Sequence, residues 1–230
     1  MDTITTIAFD ADDTLWMNEA YFQKAEKEFC SLLEDYMPQH SVSQELFKTE
    51  MRNLALYGYG VKGFILCMLE TADRISAGTA PFQLITKIIE LGKELLQKPV
   101  QLLDGVPETL ESLKGRYRLV IATKGDLLDQ ERKLKKSGLQ DHFHHIEIMS
   151  DKKEDDYKKL LRHLDCRPEN FLMIGNSIKS DILPVLEIGG YTAHIPYYLT
   201  WAHEHMEHSL QHARYTELKS INEIIHKLSL

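Results

Sequence analysis

The chain has little of what disulfide-stapled, membrane-spanning or nucleic-acid-binding proteins require. Of its 230 residues only three are cysteines, Cys30, Cys67 and Cys166. Odd in number and far apart, they suit neither a disulfide framework nor a zinc cage and read as reduced thiols. No apolar run reaches the about 18 residues of a membrane span. The short apolar run that ends at Phe9 follows Met1–Asp2 without a basic region, so it does not read as a signal peptide, and a cytoplasmic location is expected. Basic residues are in deficit: 27 Lys+Arg against 35 Asp+Glu leave a formal charge of −8, which argues against a phosphate-neutralising nucleic-acid surface. Apolar residues, at 43%, are plentiful enough to bury a core and to argue against disorder. The length exceeds the usual domain of about 100–200 residues, so one domain carrying an insertion is expected.

The pattern changes twice along the chain. Thr3–Phe9 reads as a short buried strand. From Asn18 to Gln97 the spacing is helical throughout. Asn18 is placed to cap a helix with the stripe Phe22, Ala25, Phe29, Leu32, Leu33, Tyr36, and Ser41 with Gln44 has capping-box spacing for a second that closes near Gly58. A third covers about Gly63–Ile75, and a fourth begins at Pro81 and ends before Pro99. Beyond Pro99 strands alternate with helices: strands at Tyr117–Ala122, His145–Met149, Phe171–Ile174 and Gly190–Ile195, with helices at Pro107, Leu127–Ser137, Glu154–Leu164, Ile178–Ile188 (despite Pro184) and Ser220–Leu228. This alternation predicts an α/β fold, a Rossmann-like parallel sheet with helices on both faces. The domain reading is a core of residues 1–16 and 99–230, with residues 17–98 as an all-helical insertion. No internal repeat or low-complexity segment is visible.

Open parallel sheets bind ligands beyond the carboxyl ends of their strands. The first strand is followed by Asp10-Ala11-Asp12-Asp13-Thr14, the second by Thr123-Lys124-Gly125, the third by Ser150-Asp151-Lys152-Lys153, the fourth by Gly175-Asn176-Ser177-Ile178-Lys179-Ser180-Asp181. Carboxylates, a hydroxyl, lysines and an amide are thus expected at one edge. Any one of these segments has an ordinary structural explanation; four in register do not.

Asp10-x-Asp12-x-Thr14, Thr123, a lysine at Lys152 and Gly175 with Asp181 six residues on resemble the four motifs of the haloacid dehalogenase-like hydrolase superfamily, in its phosphatase branch. The resemblance spans Ile4 to about Pro196, and the helical insertion is similar to the family's cap domain of the helical (C1) type. It implies an Mg²⁺-dependent phosphatase acting on a small phosphorylated metabolite through an aspartyl-phosphate, with no nucleic-acid or membrane partner. Asp10 is the implied nucleophile. Its carboxylate must approach an anion, and two unit charges about 4 Å apart interact by roughly 4 kcal/mol at an effective dielectric near 20. A divalent cation ligated by oxygens removes that repulsion. Asp12 is the implied acid and base, its backbone carbonyl helping to hold the metal; true dehalogenases of the family lack a carboxylate there. Asp13, where many relatives have glycine, reads as a turn residue, since Asp tolerates left-handed backbone.

The substrate's phosphate is expected to meet Thr123, Lys124 and Gly125. Lys152 is preferred to Lys153, Lys158 and Lys124 as the site lysine because it follows Ser150-Asp151; more distant lysines are read as solvated. The family usually has Asp where Asn176 stands, so the metal set reads Asp10, Asp12, Asn176, Asp181, with either Asn176 or Asp181 as direct ligand. Ser177 and Lys179 are read as turn and surface residues. Tyr57-Gly58-Tyr59-Gly60 joins two insertion helices; Tyr57 and Tyr59 are candidates for choosing the substrate. His203, His205, His208 and His212 form a His-rich segment. His208 and His212 have i, i+4 spacing, yet no compact ligand set completes a zinc site. Two other functions fit the same motifs: a phosphomutase acting on a sugar phosphate, and a non-catalytic binding protein on the same core.

Overall fold

The computed structural model describes residues 3–206 and 210–228. Strand β1 (Thr6–Phe9) leads into four helices, α1 (Glu19–Leu32), α2 (Gln39–Tyr57), α3 (Val61–Ile75) and α4 (Phe82–Gln97). Then α5 (Val106–Leu113) precedes β2 (Arg118–Lys124), α6 (Leu127–Ser137), β3 (His145–Met149), α7 (Glu154–His163) and β4 (Phe171–Gly175). A π turn at Ile178–Ile182 runs into α8 (Leu183–Glu187), and β5 (Tyr191–His194), β6 (Tyr215–Glu217) and α9 (Glu223–Lys227) complete the described chain. The strands form one sheet in the order β3-β2-β1-β4-β5-β6, all parallel. None of the described helices is long and apolar enough to cross a membrane.

Period-two alternation decides which face each strand residue serves. Ile7, Phe9, Leu119, Ile121, Leu172 and Ile174 pack with Val106 and Leu110 of α5, Leu134 of α6 and Ile224 of α9. Ala8, Val120, Ala122, Phe171 and Met173 lie on the other face with Tyr157, Leu160 and Leu161 of α7 and Val185 of α8. Helices therefore cover both faces, and the central strands read as continuous apolar runs.

The chain divides into two units: Met1–Glu19, Val100–Lys124 and Gln130–Leu230 make the first, and Ala20–Pro99 with Gly125–Asp129 the second. The second unit has its own core, in which Phe29 and Leu33 meet Leu46, Phe64, Met68 and Ile88. At Gly92 of α4 the Ile65 side chain of α3 fills the space a Cβ would take, its Cδ1 2.0 Å from that position.

Several local expectations are corrected. At the start of α1 the chain adds a carboxylate that was not foreseen. The Asp13 carboxylate, on backbone held at φ 63, accepts the Asn18 and Glu19 N–H groups, and the Asn18 side-chain oxygen accepts from Lys133. The stripe of α1 ends earlier than read: the helix stops at Leu32 and Tyr36 is exposed. Ser41 and Gln44 form no capping box, since α2 starts at Gln39 after Pro38, which makes no side-chain cap. Pro184 causes no break because α8 begins only at Leu183, placing proline in the first turn where its missing N–H is not needed. Strand β6 was not foreseen; it is a three-residue, half-exposed edge strand without alternation.

Candidate active site

Because all strands are parallel, their carboxyl ends share one edge, and the four segments singled out above emerge there. Asp10 follows β1 directly, its N–H donating to the Ile174 carbonyl of β4 at 2.8 Å. One carboxylate oxygen accepts from Lys152 Nζ at 2.5 Å and the other from Thr14 Oγ1 at 3.0 Å. The same ammonium donates to Asp181 Oδ1 at 2.7 Å. Asp10, Lys152 and Asp181 are all buried. Lys153 instead pairs with Asp151 in solvent, its side chain 77% exposed, so the geometry selects Lys152.

Two buried carboxylates thus share one ammonium. Burial pushes the Asp10 carboxyl up to about 7; the Asp181 and Asp12 charges act in the same sense, against the lowering effect of Lys152. For Lys152, burial opposes the charge, but the two carboxylates outweigh it and raise its pKa. The edge is therefore short of positive charge.

Asp181 is placed by the π turn. Its N–H donates to Ser177 O at 2.8 Å, and its Oδ2 accepts from Ser177 N–H at 3.0 Å. Gly175 makes room for it: a Cβ at that position would lie 2.2 Å from Asp181 Oδ2. Beside it, the Asn176 amide oxygen is 3.4 Å from Thr14 Oγ1, the hydroxyl that also reaches Asp10, and the His194 ring holds the Asn176 carbonyl at 3.1 Å. The donor set at this edge is entirely oxygen, with an excess of negative charge, and so suits a hard divalent cation that keeps several waters. Among the described residues no three His, Cys, Asp or Glu side chains form a chelating cluster, so the amide and backbone oxygens would have to contribute.

Asp12 lies in a second nest. Oδ1 accepts from Trp16 Nε1 at 2.6 Å and from Lys133 Nζ at 2.6 Å; Oδ2 accepts from Lys133 at 2.7 Å and from Gln130 Nε2 at 3.1 Å. Lys133, which the sequence did not single out, is thus a partner of Asp12 rather than a solvated lysine. Thr123 is buried at the end of β2 and its hydroxyl accepts from Gln130 at 2.8 Å. Gly125 adopts φ 144, a conformation that other residues rarely take.

Lys124 is not a free cation. Its ammonium donates to Glu204 at 2.5 Å and to Ser180 Oγ at 2.8 Å. The Glu204 carboxylate also accepts from the Ser177 and Ser180 hydroxyls at 2.5 and 2.7 Å. Burial alone would raise its pKa, but Lys124 and the three hydrogen bonds outweigh that and hold it down at about 2. Ser177 is buried, whereas Lys179 is exposed and donates to the His203 carbonyl, as read. In the other unit, Tyr57 ends α2 and donates its hydroxyl to Glu70; Tyr59 follows in the linker to α3. His208 lies outside the described residues, and His212 lies outside any helix, its ring accepting the Arg214 N–H.

Sequence reasoning missed Gln130, Lys133, Trp16, His194 and Glu204. Gln130 and Lys133, at i, i+3 on α6, carried the only usable signal: a polar pair on one helix face.

A parallel α/β sheet whose edge gathers these acidic and cationic groups defines a class of protein. The chain belongs to the haloacid dehalogenase-like hydrolases, whose family model matches residues 4–189. It is similar to a haloacid dehalogenase-like family hydrolase from Xanthomonas campestris, at 37% identity and a TM-score of 0.89 over 98% of this chain and 91% of that one. A predicted phosphoglycolate phosphatase from Haemophilus somnus has the same fold at 17% identity and a TM-score of 0.65, covering 99% of each chain. So does a 2-haloacid dehalogenase from Pseudomonas syringae pv. Tomato, at 16% identity and a TM-score of 0.67 over 98% of each. No curated protein matches the chain.

Proposed function

We propose that this hydrolase is an Mg²⁺-dependent phosphatase of small phosphorylated metabolites. One observation carries the choice over dehalogenation: a second carboxylate, Asp12, stands two residues from Asp10 and is held by Trp16, Gln130 and Lys133. Halide leaves without a proton, whereas an alkoxide needs one, and Asp12 can supply it.

In the proposed reaction an Asp10 oxygen attacks phosphorus and the bond from phosphorus to the substrate oxygen breaks. The departing alcohol takes its proton from Asp12. Water then attacks the aspartyl-phosphate, giving its proton to Asp12, and the bond between phosphorus and the Asp10 oxygen breaks to release phosphate. Lys152 holds Asp10 and Asp181 in place and offsets charge on the transferring group. Thr123 and the Gly125 backbone bind phosphoryl oxygens, and Lys124 shapes the site through its tie to Glu204 rather than as a free cation. Asp10, Asp181, the Asn176 amide and the Asp12 backbone carbonyl would hold the ion, which when bound supplies charge neutralisation and alignment of the phosphate. The helical unit is proposed as the family's cap, with Tyr57 and Tyr59 choosing the organic part of the substrate. The free thiols Cys30, Cys67 and Cys166 fit a reducing cytoplasm, where we place the protein.

The test is phosphate release from p-nitrophenyl phosphate with Mg²⁺. Asp10→Asn should lower it by about 10³-fold or more, with the circular dichroism spectrum unchanged. A variant as fast as the wild type defeats the assignment.

A further inference from the structure

We propose that Gln130 is a positioning residue that turns the Thr123 hydroxyl proton toward the phosphoryl group; the inference rests on the phosphatase reading. Gln130 reaches in from α6 and is 3% exposed. Its terminal Nε2 faces three oxygens: Thr123 Oγ1 at 2.8 Å, the Lys124 carbonyl at 3.0 Å and Asp12 Oδ2 at 3.1 Å. The Lys124 backbone carbonyl has no proton to give, so the atom that meets it must be the amide nitrogen. The amide orientation is therefore settled by its neighbours.

It follows that Thr123 Oγ1 accepts from Gln130 and keeps its own proton. Among the described residues nothing accepts that proton. A hydroxyl held this way is a pre-aimed donor, the kind of group that stabilises charge developing on a transferring phosphoryl oxygen without reorganising. The same amide nitrogen also reaches Asp12, so one side chain spaces the hydroxyl donor from the acid and base. The Gln130 Oε1 is buried with no hydrogen-bond partner among the described residues, a cost that offsets part of what the three Nε2 contacts contribute.

The experiment uses the full chain with Mg²⁺ and p-nitrophenyl phosphate at pH 8, with orthovanadate and inorganic phosphate as inhibitors. Gln130→Met, which keeps the volume, should lower kcat about tenfold with KM within twofold. Gln130→Glu, which has the same shape but accepts only, draws the Thr123 proton to itself and should lower kcat about 10²-fold, the size of losing one preorganised donor. Vanadate, which mimics the transferring group, should lose affinity in step with kcat, and phosphate should not. In a Thr123→Val background Gln130→Met should cost nothing further, whereas a purely structural role would make the losses multiply. Wild-type kcat in Gln130→Met, or multiplying losses, overturns the inference while leaving the phosphatase reading intact. Absence of hydrolysis by the wild type overturns both.

Discussion

The two units bury polar groups in opposite ways. In the helical unit the buried hydroxyls are matched to neutral partners or to a single guanidinium. Thr71 donates to Thr49 at 2.9 Å, Thr49 donates to the Glu45 carbonyl, and Arg74 adds a donor to Thr49 at 2.7 Å. At the sheet edge, Asp10 and Asp181 share the single Lys152 ammonium, and burial, with the Asp181 charge, pushes Asp10 up despite Lys152. The first arrangement settles the packing of α2 on α3. The second leaves an excess of buried negative charge, which stability alone does not explain and which fits the cation proposed there.

Removing a partner should separate the two kinds of burial. The largest effect on stability is expected for Lys152→Met, which strands two buried carboxylates and should cost about 3–5 kcal/mol in urea unfolding without metal. A loss below 1 kcal/mol would show that the edge is not short of positive charge.

Glu204 gives the next effect. Held at about 2 in the fold, against about 4.3 in an unfolded chain, it contributes stability above the unfolded value that is lost as pH falls toward 2. Unfolding measured at pH 7, 4.5 and 3 should show a difference between wild type and Glu204→Gln of about 3 kcal/mol at pH 7 that shrinks with acid. A difference independent of pH would break the reading.

Thr71→Val should cost least, about 1 kcal/mol, because Thr49 keeps two other partners. A cost equal to that of Lys152→Met would erase the comparison.

The site was legible where chemistry follows a strand directly. Asp10, Thr123, Lys152 and Asp181 each stand within seven residues of a strand end, and parallel strands bring such ends to one edge whatever the helices do. Gln130, Lys133 and Glu204 were illegible for the converse reason. Their roles depend on how α6 packs back and where residues 201–206 return, and neither leaves a period in the sequence. The same holds for Asp13, whose carboxylate meets the Asn18 and Glu19 N–H groups only because the chain turns through φ 63. The choice of Lys152 over Lys153 needed the structure too, since adjacent residues differ only in direction.

The sequence by itself determined the alternation of strands and helices, the parallel sheet, the helical insertion and the acidic segment after β1. These rest on local period and on steric rules that act over a few residues. The tertiary structure alone decided that the two aspartates share one ammonium, which side chains hold Asp12 and Thr123, and that Lys124 is tied to Glu204. Those choices are distances between groups far apart in the chain, and only the packed helices and the returning segment determine them.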